Sequence, residues 1–283
     1  MPDNVVFPYP EGFFDDDLPG GVLSPSGISR YLNCPRQYEY AYVHKKKKPP
    51  GIAAAKGKAL HFGAEQTHLH TIEYGKPLEK DAALAIVADK FDAELEDVDP
   101  RDLKNPEMPV GVVKDAAVFN FDVYYRFAVP KITPIAVEAP FARRIGDVPV
   151  RGIIDLLDEV DGDYTLETDP DGPPPRIIEV ADLKTSKKRW TEQQIQFDMQ
   201  LTIYSIIEDV ETVRVDLLLD QKKGCSYSQL RAPRSPMEKR VIVEDIQTVA
   251  QAIKMGIFPR CKPTEWVCSA KWCGYYEECR GKR

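Results

Sequence analysis

The spacing of hydrophobic residues changes from helical to strand-like part-way along the chain. Apolar positions three and four residues apart predict helices over about 56–72, 80–96 and 112–128. An aromatic-rich segment over 28–42 is also predicted to be helical, with an interruption near Pro35. Short apolar runs predict strands at about 132–145, 150–158, 176–184 and 213–219, and a weaker one near 226–232. Capping boxes at Thr191 and Ser235 begin two further helices, which run to about 207 and 255.

The order of these elements predicts the fold class. Helices come first, followed by three strands, a helix, one or two strands, a helix and a Cys-rich tail. This succession indicates an α+β domain with a central mixed sheet flanked by helices. Residues 1–23 lack either periodicity and are predicted to form an irregular arm. Residues 24–283 are predicted to be one domain, and a Pro-rich insert at 169–175 is predicted to be a loop. Three parts make up that domain: a helical part (24–130), a sheet core (131–233), and a last helix with the Cys-rich tail (234–283).

Composition is that of a soluble globular protein. Of the 283 residues, 43% are hydrophobic and 29% are charged. The apolar runs are all shorter than a membrane-crossing segment requires. The N-terminal residues are acidic where a secretion signal would be basic. We therefore expect a cytoplasmic protein without a membrane partner.

The net charge of −7 is unevenly distributed, which changes what it says about partners. Residues 1–20 carry five acidic and no basic residues, and residues 79–107 carry ten acidic against four basic ones, so the remainder is net positive. Basic clusters lie at 45–48, 184–189 and 254–283. Local positive patches, rather than net charge, govern contact with a phosphate backbone. Each cluster could instead be a solvated surface. For the cluster at 45–48, taken by itself, we prefer that interpretation.

Charged residues at the ends of two apolar strands are the strongest chemical signal. One strand ends in Asp182-Leu-Lys184, and residues two apart project from the same face of a strand. The other carries Asp155 after two isoleucines. A lone Asp-x-Lys is often a surface ion pair, but charges at the end of a buried strand are costly unless they have a function. Two carboxylates and a lysine can hold Mg²⁺ or Mn²⁺ and orient a water beside a phosphate. The pattern therefore predicts metal-dependent phosphodiester cleavage.

The order of these motifs resembles the PD-(D/E)XK nuclease superfamily, in particular its RecB-like branch. Gly152-x-x-Asp155 followed by Asp182-x-Lys184 is similar to the two catalytic strands of that branch. The resemblance covers roughly residues 24–280, and its strength lies in motif order rather than in any single match. It implies a restriction-endonuclease-like core, with residues 131–233 as the catalytic part of a nuclease domain.

Two further motifs acquire roles through this resemblance. The segment ending in His61 is similar to the branch's helix with a metal-binding histidine, which implies His61 as a ligand beside Asp155 and Asp182. Without the resemblance, a histidine on a mostly apolar helix is more often a packed core residue. Gln200-x-x-x-Tyr204 is similar to the helix that follows the catalytic strands in the branch. The resemblance implies that both residues line the active site, where they contact DNA or order the catalytic lysine.

Several neighbouring features have two interpretations. Gln196 shares the spacing of Gln200 and Tyr204 and would lie on the same helical face. Tyr204 could also be a simple core residue. Glu138 is either a carboxylate that supports a metal ligand or an ordinary residue of an edge strand. The segment 187–190 could grip DNA phosphates and stack a tryptophan on a base, or it could be a solvated turn with one buried tryptophan.

Cysteines are concentrated at the C-terminus. Four of the six lie in the last 23 residues, namely Cys261, Cys268, Cys273 and Cys279. In a cytosolic chain such clustering favours a metal over disulfides. The spacing lacks the paired Cys-x-x-Cys of a common zinc ribbon.

The resemblance extends to RecB-like nucleases with an iron–sulfur cluster, which use one upstream cysteine and three near the C-terminus. It implies that a 4Fe–4S cluster is held by Cys34, Cys268, Cys273 and Cys279. Such a cluster would tie the N-terminal helices to the tail and be mainly structural. Structural zinc on the same thiolates is the alternative, Cys261 could replace one member of the quartet, and the sixth cysteine, at 225, is expected to be a free thiol.

Together these features predict a Mg²⁺- or Mn²⁺-dependent deoxyribonuclease, more an exonuclease than an endonuclease. The expected context is DNA-end processing in recombination, repair or bacteriophage DNA metabolism. No P-loop is present, so any helicase would be a partner, as would an annealing or recombination protein. Two alternatives remain open: a DNA-trimming nuclease similar to the CRISPR-associated adaptation exonucleases, and a DNA-binding scaffold with a vestigial site.

Overall fold

The structure, a computed structural model, describes residues 6–46, 48–162, 174–221 and 223–281. The predicted loop at 169–175 lies largely outside these ranges, as does one residue of the basic cluster at 45–48. Among the described residues, no helix combines the length and the hydrophobicity needed to cross a bilayer.

A five-stranded mixed sheet forms the centre of the fold. Its strands are β1 (Pro134–Ile145), β2 (Val148–Asp161), β3 (Arg176–Ser186), β4 (Thr212–Gln221) and β5 (Gly224–Pro233). They are ordered β1-β2-β3-β4-β5; β3 and β4 are parallel and the other pairs are antiparallel. Gly146 turns the chain between β1 and β2 with φ +62°, a conformation that a side chain would strain. The predicted α+β class with a central mixed sheet is confirmed, and the weaker fifth strand is a full member.

Ten α-helices surround the sheet in the described part of the chain. Six precede it: α1 (Pro25–Asn33), α2 (Pro35–Tyr38), α3 (Ile52–Tyr74), α4 (Lys80–Glu94), α5 (Pro100–Leu103) and α6 (Val110–Phe127). Four come later: α7 (Glu192–Gln196), α8 (Met199–Ile207), α9 (Pro236–Lys254) and α10 (Tyr276–Arg280). Helix α1 begins where the Ser24 hydroxyl accepts a hydrogen bond from the Gly27 amide, and α2 continues into a π-helical turn, Glu39–Val43.

The sheet separates two apolar cores. On one face, α1, α8 and α9 pack through residues such as Ile28 and Ile203. On the other face, α3, α4 and α6 form a core that includes Leu60 and Phe121. The described part of the N-terminal arm contains one 3-10 turn, Pro19–Gly21, and it is packed against the domain, since Leu23 bridges to β2 and is buried. The sheet is therefore covered on both faces, which protects the polar groups that emerge between its strands.

The predicted single helix between Thr191 and about residue 207 is wrong, because the chain forms two helices there. Asp198 begins α8 by accepting a hydrogen bond from the Leu201 amide at 2.9 Å, so α7 ends two residues earlier. The break also corrects the predicted common face. Gln196 belongs to α7 and donates to the Pro233 carbonyl and to Glu238, away from Gln200 and Tyr204 of α8.

Candidate active site

Strands β2 and β3 separate at the position where each carries an aspartate. Their pairing ends at Leu156 and Ala181, and the next residues are Asp155 on β2 and Asp182 on β3. Beyond the last residues paired with β2, the Leu183 amide donates to Asp155 Oδ2 at 3.2 Å. This separation, called the strand fork below, is how two carboxylates distant in sequence come to lie side by side.

Three side chains at the strand fork form a potential ligand set for a cation. His61 on α3 places Nδ1 3.1 Å from Asp155 Oδ2. One donor atom from each of His61, Glu138 and Asp155 lies within 4.8 Å of the other two. Carboxylate oxygens with one imidazole nitrogen suit Mg²⁺ or Mn²⁺. Glu138 thus lies close enough to His61 and Asp155 to share a cation with them, whereas the sequence analysis considered it only as a supporting carboxylate or an ordinary residue of an edge strand.

The backbone at Glu138 is unusual for a strand. Its φ is +45°, in the left-handed region that residues other than glycine rarely adopt. Such a conformation costs on the order of 1–3 kcal/mol and persists where the surroundings enforce it, often at functional sites. The residues around Glu138 do not predict this backbone conformation, which explains why spacing alone did not single out Glu138.

Asp182 and Lys184 project from one face of β3, as the strand period predicts. Lys184 Nζ lies 2.6 Å from Asp182 Oδ2, and the Asp182 side chain is fully buried. Gln200 donates to Asp182 Oδ1 at 3.1 Å and to the Tyr204 hydroxyl at 2.8 Å. That hydroxyl donates to the Ile153 carbonyl at 2.7 Å. Gln200 therefore contacts the aspartate rather than the lysine, and through Gln200 and Tyr204 helix α8 is tied to both β3 and β2.

The glycine of the Gly-x-x-Asp segment has a packing role. A Cβ atom at Gly152 would lie 2.7 Å from the ring of Phe141, which is closer than real contacts allow. The same ring packs edge-on against Tyr204, with 5.9 Å between centroids. Glycine at this position lets Phe141 support the tyrosine that in turn holds Gln200 and Asp182.

The charges at the strand fork perturb one another. Burial, with the neighbouring Asp155 carboxylate, raises the pKa of Asp182 to about 7 and that of Glu138 to about 7. Burial alone would lower the pKa of His61, but the Asp155 carboxylate outweighs it and raises that pKa to about 9. Buried carboxylates repel one another here, so the residues fit a hard divalent cation that would take up the excess negative charge.

The segment after β3 keeps its cations in solvent. Lys187, Lys188 and Arg189 are exposed, and Trp190 is partly buried against the apolar core. The packing of Trp190 favours a held turn over base stacking, whereas phosphate contact by the three exposed cations stays a prediction.

Five cysteines line a second cavity, between the start of α2 and the C-terminal tail: Cys34, Cys261, Cys268, Cys273 and Cys279. The sixth, Cys225, lies apart on β5. Arg260 Nε donates to the Cys279 sulfur at 3.2 Å. Burial raises the pKa of Cys261 to about 12, with a further contribution from the adjacent Cys34 thiol. Within the described residues no three of these sulfurs are grouped at metal-binding separations, so the structure does not show an iron–sulfur cluster.

Comparisons with known proteins identify the family and a similar fold. A family model described as the PD-(D/E)XK nuclease superfamily matches residues 22–280. No curated protein matches the sequence significantly. A solved structure from Eubacterium rectale, described as "Putative exonuclease", has a similar fold with a TM-score of 0.52 and 9% identity, covering 93% of this chain and 89% of that one. The structure of SSO0001 has a TM-score of 0.34 and 16% identity, over 90% of this chain and 97% of that one.

Proposed function

Because this chain belongs to the PD-(D/E)XK nuclease superfamily, we propose that it is a RecB-like, Mg²⁺- or Mn²⁺-dependent nuclease that hydrolyses phosphodiester bonds at DNA ends. The observation that carries the proposal is the convergence at the strand fork of His61, Glu138 and Asp155 with the Asp182–Lys184 pair. The fold is similar to that of a protein described as "Putative exonuclease", and action at DNA ends is our proposal for this chain.

The metal ligands in this proposal are Asp155 and Asp182, joined by His61 and by Glu138. A bound divalent cation supplies a water of lowered pKa and offsets the charge of the phosphoryl oxygens. Asp182 contributes through the oxygen that faces Lys184, which accepts no well-aligned hydrogen bond among the described residues. In this proposal the Asp182 oxygen would be shared between the metal and the Lys184 ammonium group, which lies 2.6 Å from it.

Lys184 is the residue that acts on the nucleophile and the phosphate. Burial would lower the pKa of its ammonium group, but Asp182 and Asp155 outweigh that effect and raise it, so the group is charged at neutral pH. A charged donor held at the strand fork orients the attacking water and stabilises the developing negative charge on the phosphoryl oxygens. The water oxygen forms a bond to phosphorus as the P–O3′ bond breaks, which leaves a 5′-phosphate on one product and a 3′-hydroxyl on the other.

Gln200 and Tyr204 are positioning residues in this scheme. Their hydrogen bonds fix one oxygen of Asp182 and leave the other for Lys184 and the cation. Partners that orient a metal ligand in this way change metal affinity rather than supply a reacting group.

The cysteine cavity has a structural role in the proposal. A 4Fe–4S cluster on Cys34, Cys268, Cys273 and Cys279 would link α2 to the tail, and the support for it is that all four line one cavity. Protein purified without oxygen is expected to be brown, with broad visible absorption that is lost on replacing Cys273 by serine. A colourless protein with stoichiometric zinc would instead assign the cavity to zinc.

Cleavage of end-labelled DNA tests the nuclease proposal. Purified protein with Mn²⁺ is expected to shorten linear DNA progressively and to leave closed circles intact. Asp182→Asn and Lys184→Met are expected to abolish cleavage without loss of folding, whereas Asp161→Asn, an exposed carboxylate at the far end of β2, should be active. Equal residual cleavage in all three variants would indicate a contaminating enzyme and refute the assignment. Cutting of closed circles would replace the exonuclease with an endonuclease.

A further inference from the structure

A wide groove lies apart from the strand fork, between the N-terminal arm, the segment that follows α1 and the C-terminal tail. Its volume, including the open mouth, is about 1910 Å³. The arm contributes its turn near Pro19, β2 contributes Arg151, and the tail contributes Trp272 and Tyr275. None of these residues takes part in the chemistry proposed above, so the groove is available for another purpose.

The lining of the groove is basic although the chain is acidic overall. Five cations line it, namely Arg30, Lys45, Lys46, Lys48 and Arg151, and no acidic residue does among those the structure describes. Glu278 beside the groove pairs with Lys46 at 2.5 Å and with Lys48 at 3.2 Å. The remaining three have no carboxylate within ion-pair distance in the described parts of the chain, and Arg151 contacts the Tyr9 hydroxyl instead. Uncompensated positive charge of this density attracts a polyanion.

Aromatic rings alternate with these cations. Trp272 is 63% exposed although it packs edge-on against Trp266, which is also exposed. Arg30 lies over the ring of Tyr42, 5.6 Å from its centroid, and Lys48 lies over Tyr275 at 5.5 Å. Tyr38 and Tyr40 stack on these two rings, so Trp272 is the ring in the groove lining that offers an open surface to a base. A charged groove interleaved with aromatic faces is the arrangement that binds single-stranded nucleic acid, because phosphates meet the cations and unpaired bases stack on the rings. Duplex DNA hides its base faces, so it would offer Trp272 no unpaired base to stack on.

The groove also leads to the catalytic strand. Arg151 lies four residues before Asp155 on β2, which corresponds to about 13 Å along an extended strand. We propose that this groove binds a single-stranded segment of DNA whose end is presented to, or released from, the strand fork. The proposal rests on the nuclease assignment and deepens it, because it names single-stranded DNA as the form of substrate held by the enzyme.

Binding can be measured separately from cleavage with the full chain in EDTA. The probes are a fluorescein-labelled oligothymidine of about 20 nucleotides, the same length of abasic strand, and a duplex of equal length. The groove variant combines Arg30→Ala, Lys45→Ala and Arg151→Ala. The matched control removes three exposed cations outside the groove: Lys76→Ala, Lys223→Ala and Arg240→Ala.

For the oligothymidine, the groove variant is expected to lower the slope of log affinity against log salt by about 2, since each phosphate contact to a single strand contributes about 0.7. The control variant should keep the slope of the natural protein. Trp272→Ala is expected to weaken oligothymidine binding about fivefold or more, with no effect on the abasic strand. Lys45→Ala and Trp272→Ala each change one exposed side chain, so they test the groove even if the triple variant unfolds.

Two results would overturn the groove assignment: a salt slope unchanged in the groove variant, or a Trp272→Ala loss that is equal for duplex and single strand. The second result would assign the groove to double-stranded DNA. Cleavage by the natural protein in Mn²⁺ is measured in parallel. If the natural protein cleaves no DNA in Mn²⁺, the nuclease proposal is refuted, and the binding measurements still test the groove by themselves.

Discussion

A buried arginine behind the strand fork gives a sharp stability prediction. Arg214 on β4 is fully buried and contacts carboxylates from three strands: Asp158 on β2 at 2.6 Å, Glu179 on β3 at 2.9 Å and Asp216 on β4 at 3.1 Å. Burial alone would lower the pKa of Arg214, but the carboxylates raise it, so the guanidinium is charged. The network joins β2, which carries Asp155, to β3, which carries Asp182 and Lys184, and its side chains are buried in the interior of the protein.

Replacing Arg214 by methionine removes the cation and leaves three buried carboxylates. Glu179 still contacts Arg231, and Asp216 still accepts from Tyr227, but Asp158 has only a backbone amide. Breaking a buried ion pair by removing one partner costs about 3–5 kcal/mol. For a chain of 283 residues that corresponds to a fall in melting temperature of about 5–8 °C. Arg176→Met is the matched control, because Arg176 also contacts two carboxylates, at 3.1 and 2.5 Å, yet lies at the surface.

The assay is urea denaturation followed by circular dichroism for the natural protein and both variants. We expect a large fall in the midpoint for Arg214→Met with an unchanged m-value, and only a small change for Arg176→Met because exposed pairs are screened by solvent. Equal midpoints for the two variants would refute the reasoning, since they would show that the buried network contributes no more than a surface pair.

Three further predictions concern the site and its surroundings. Tyr204→Phe should raise the Mn²⁺ concentration needed for half-maximal cleavage about 10–100-fold, with a smaller change in rate at saturating Mn²⁺. An unchanged Mn²⁺ requirement would contradict that positioning role. Glu138→Gln should weaken Mn²⁺ binding in calorimetry more than Tyr204→Phe does, and equal binding to the natural protein would remove Glu138 from the ligand set. Burial, with a smaller effect of Arg214, lowers the pKa of His68 to about 4. Between about pH 6.5 and pH 4 the His68 imidazole is therefore protonated in the unfolded chain but neutral in the folded chain. The free energy of unfolding should fall by up to about 1.4 kcal/mol for each pH unit of acidification in that range. The urea midpoint of His68→Gln should fall less between pH 6.5 and pH 4 than that of the natural protein. An equal fall in both proteins would contradict this role of His68.

The element order and the strand motifs were sufficient to predict the fold. The apolar runs that lead to Asp155 and Asp182 become neighbouring strands, and the capping residues place the helices. The break before Asp198 was missed although the signal was present, since an aspartate followed by a second apolar stretch is a helix start. The capping box at Thr191 instead led to the prediction of one helix from there to about residue 207.

Other features depend on contacts that no local pattern contains. Glu138 joins the ligand group through a left-handed backbone conformation and the pairing of β1 with β2. The alternating charges of β4 are typical of a solvated strand face, yet Arg214 and Asp216 are buried beneath the helices, where they neutralise each other. Cysteine spacing cannot choose four ligands from five, because Cys261 lines the same cavity as the predicted quartet.

A crystal structure of the protein soaked in Mn²⁺, with anomalous scattering recorded for manganese, tests the central claim most directly. The account predicts one strong peak at the strand fork, bonded to carboxylate oxygens of Asp155 and Asp182 at about 2.0–2.3 Å. A protein that cleaves DNA in Mn²⁺ but shows no peak there, or a peak bonded to neither aspartate, would contradict it.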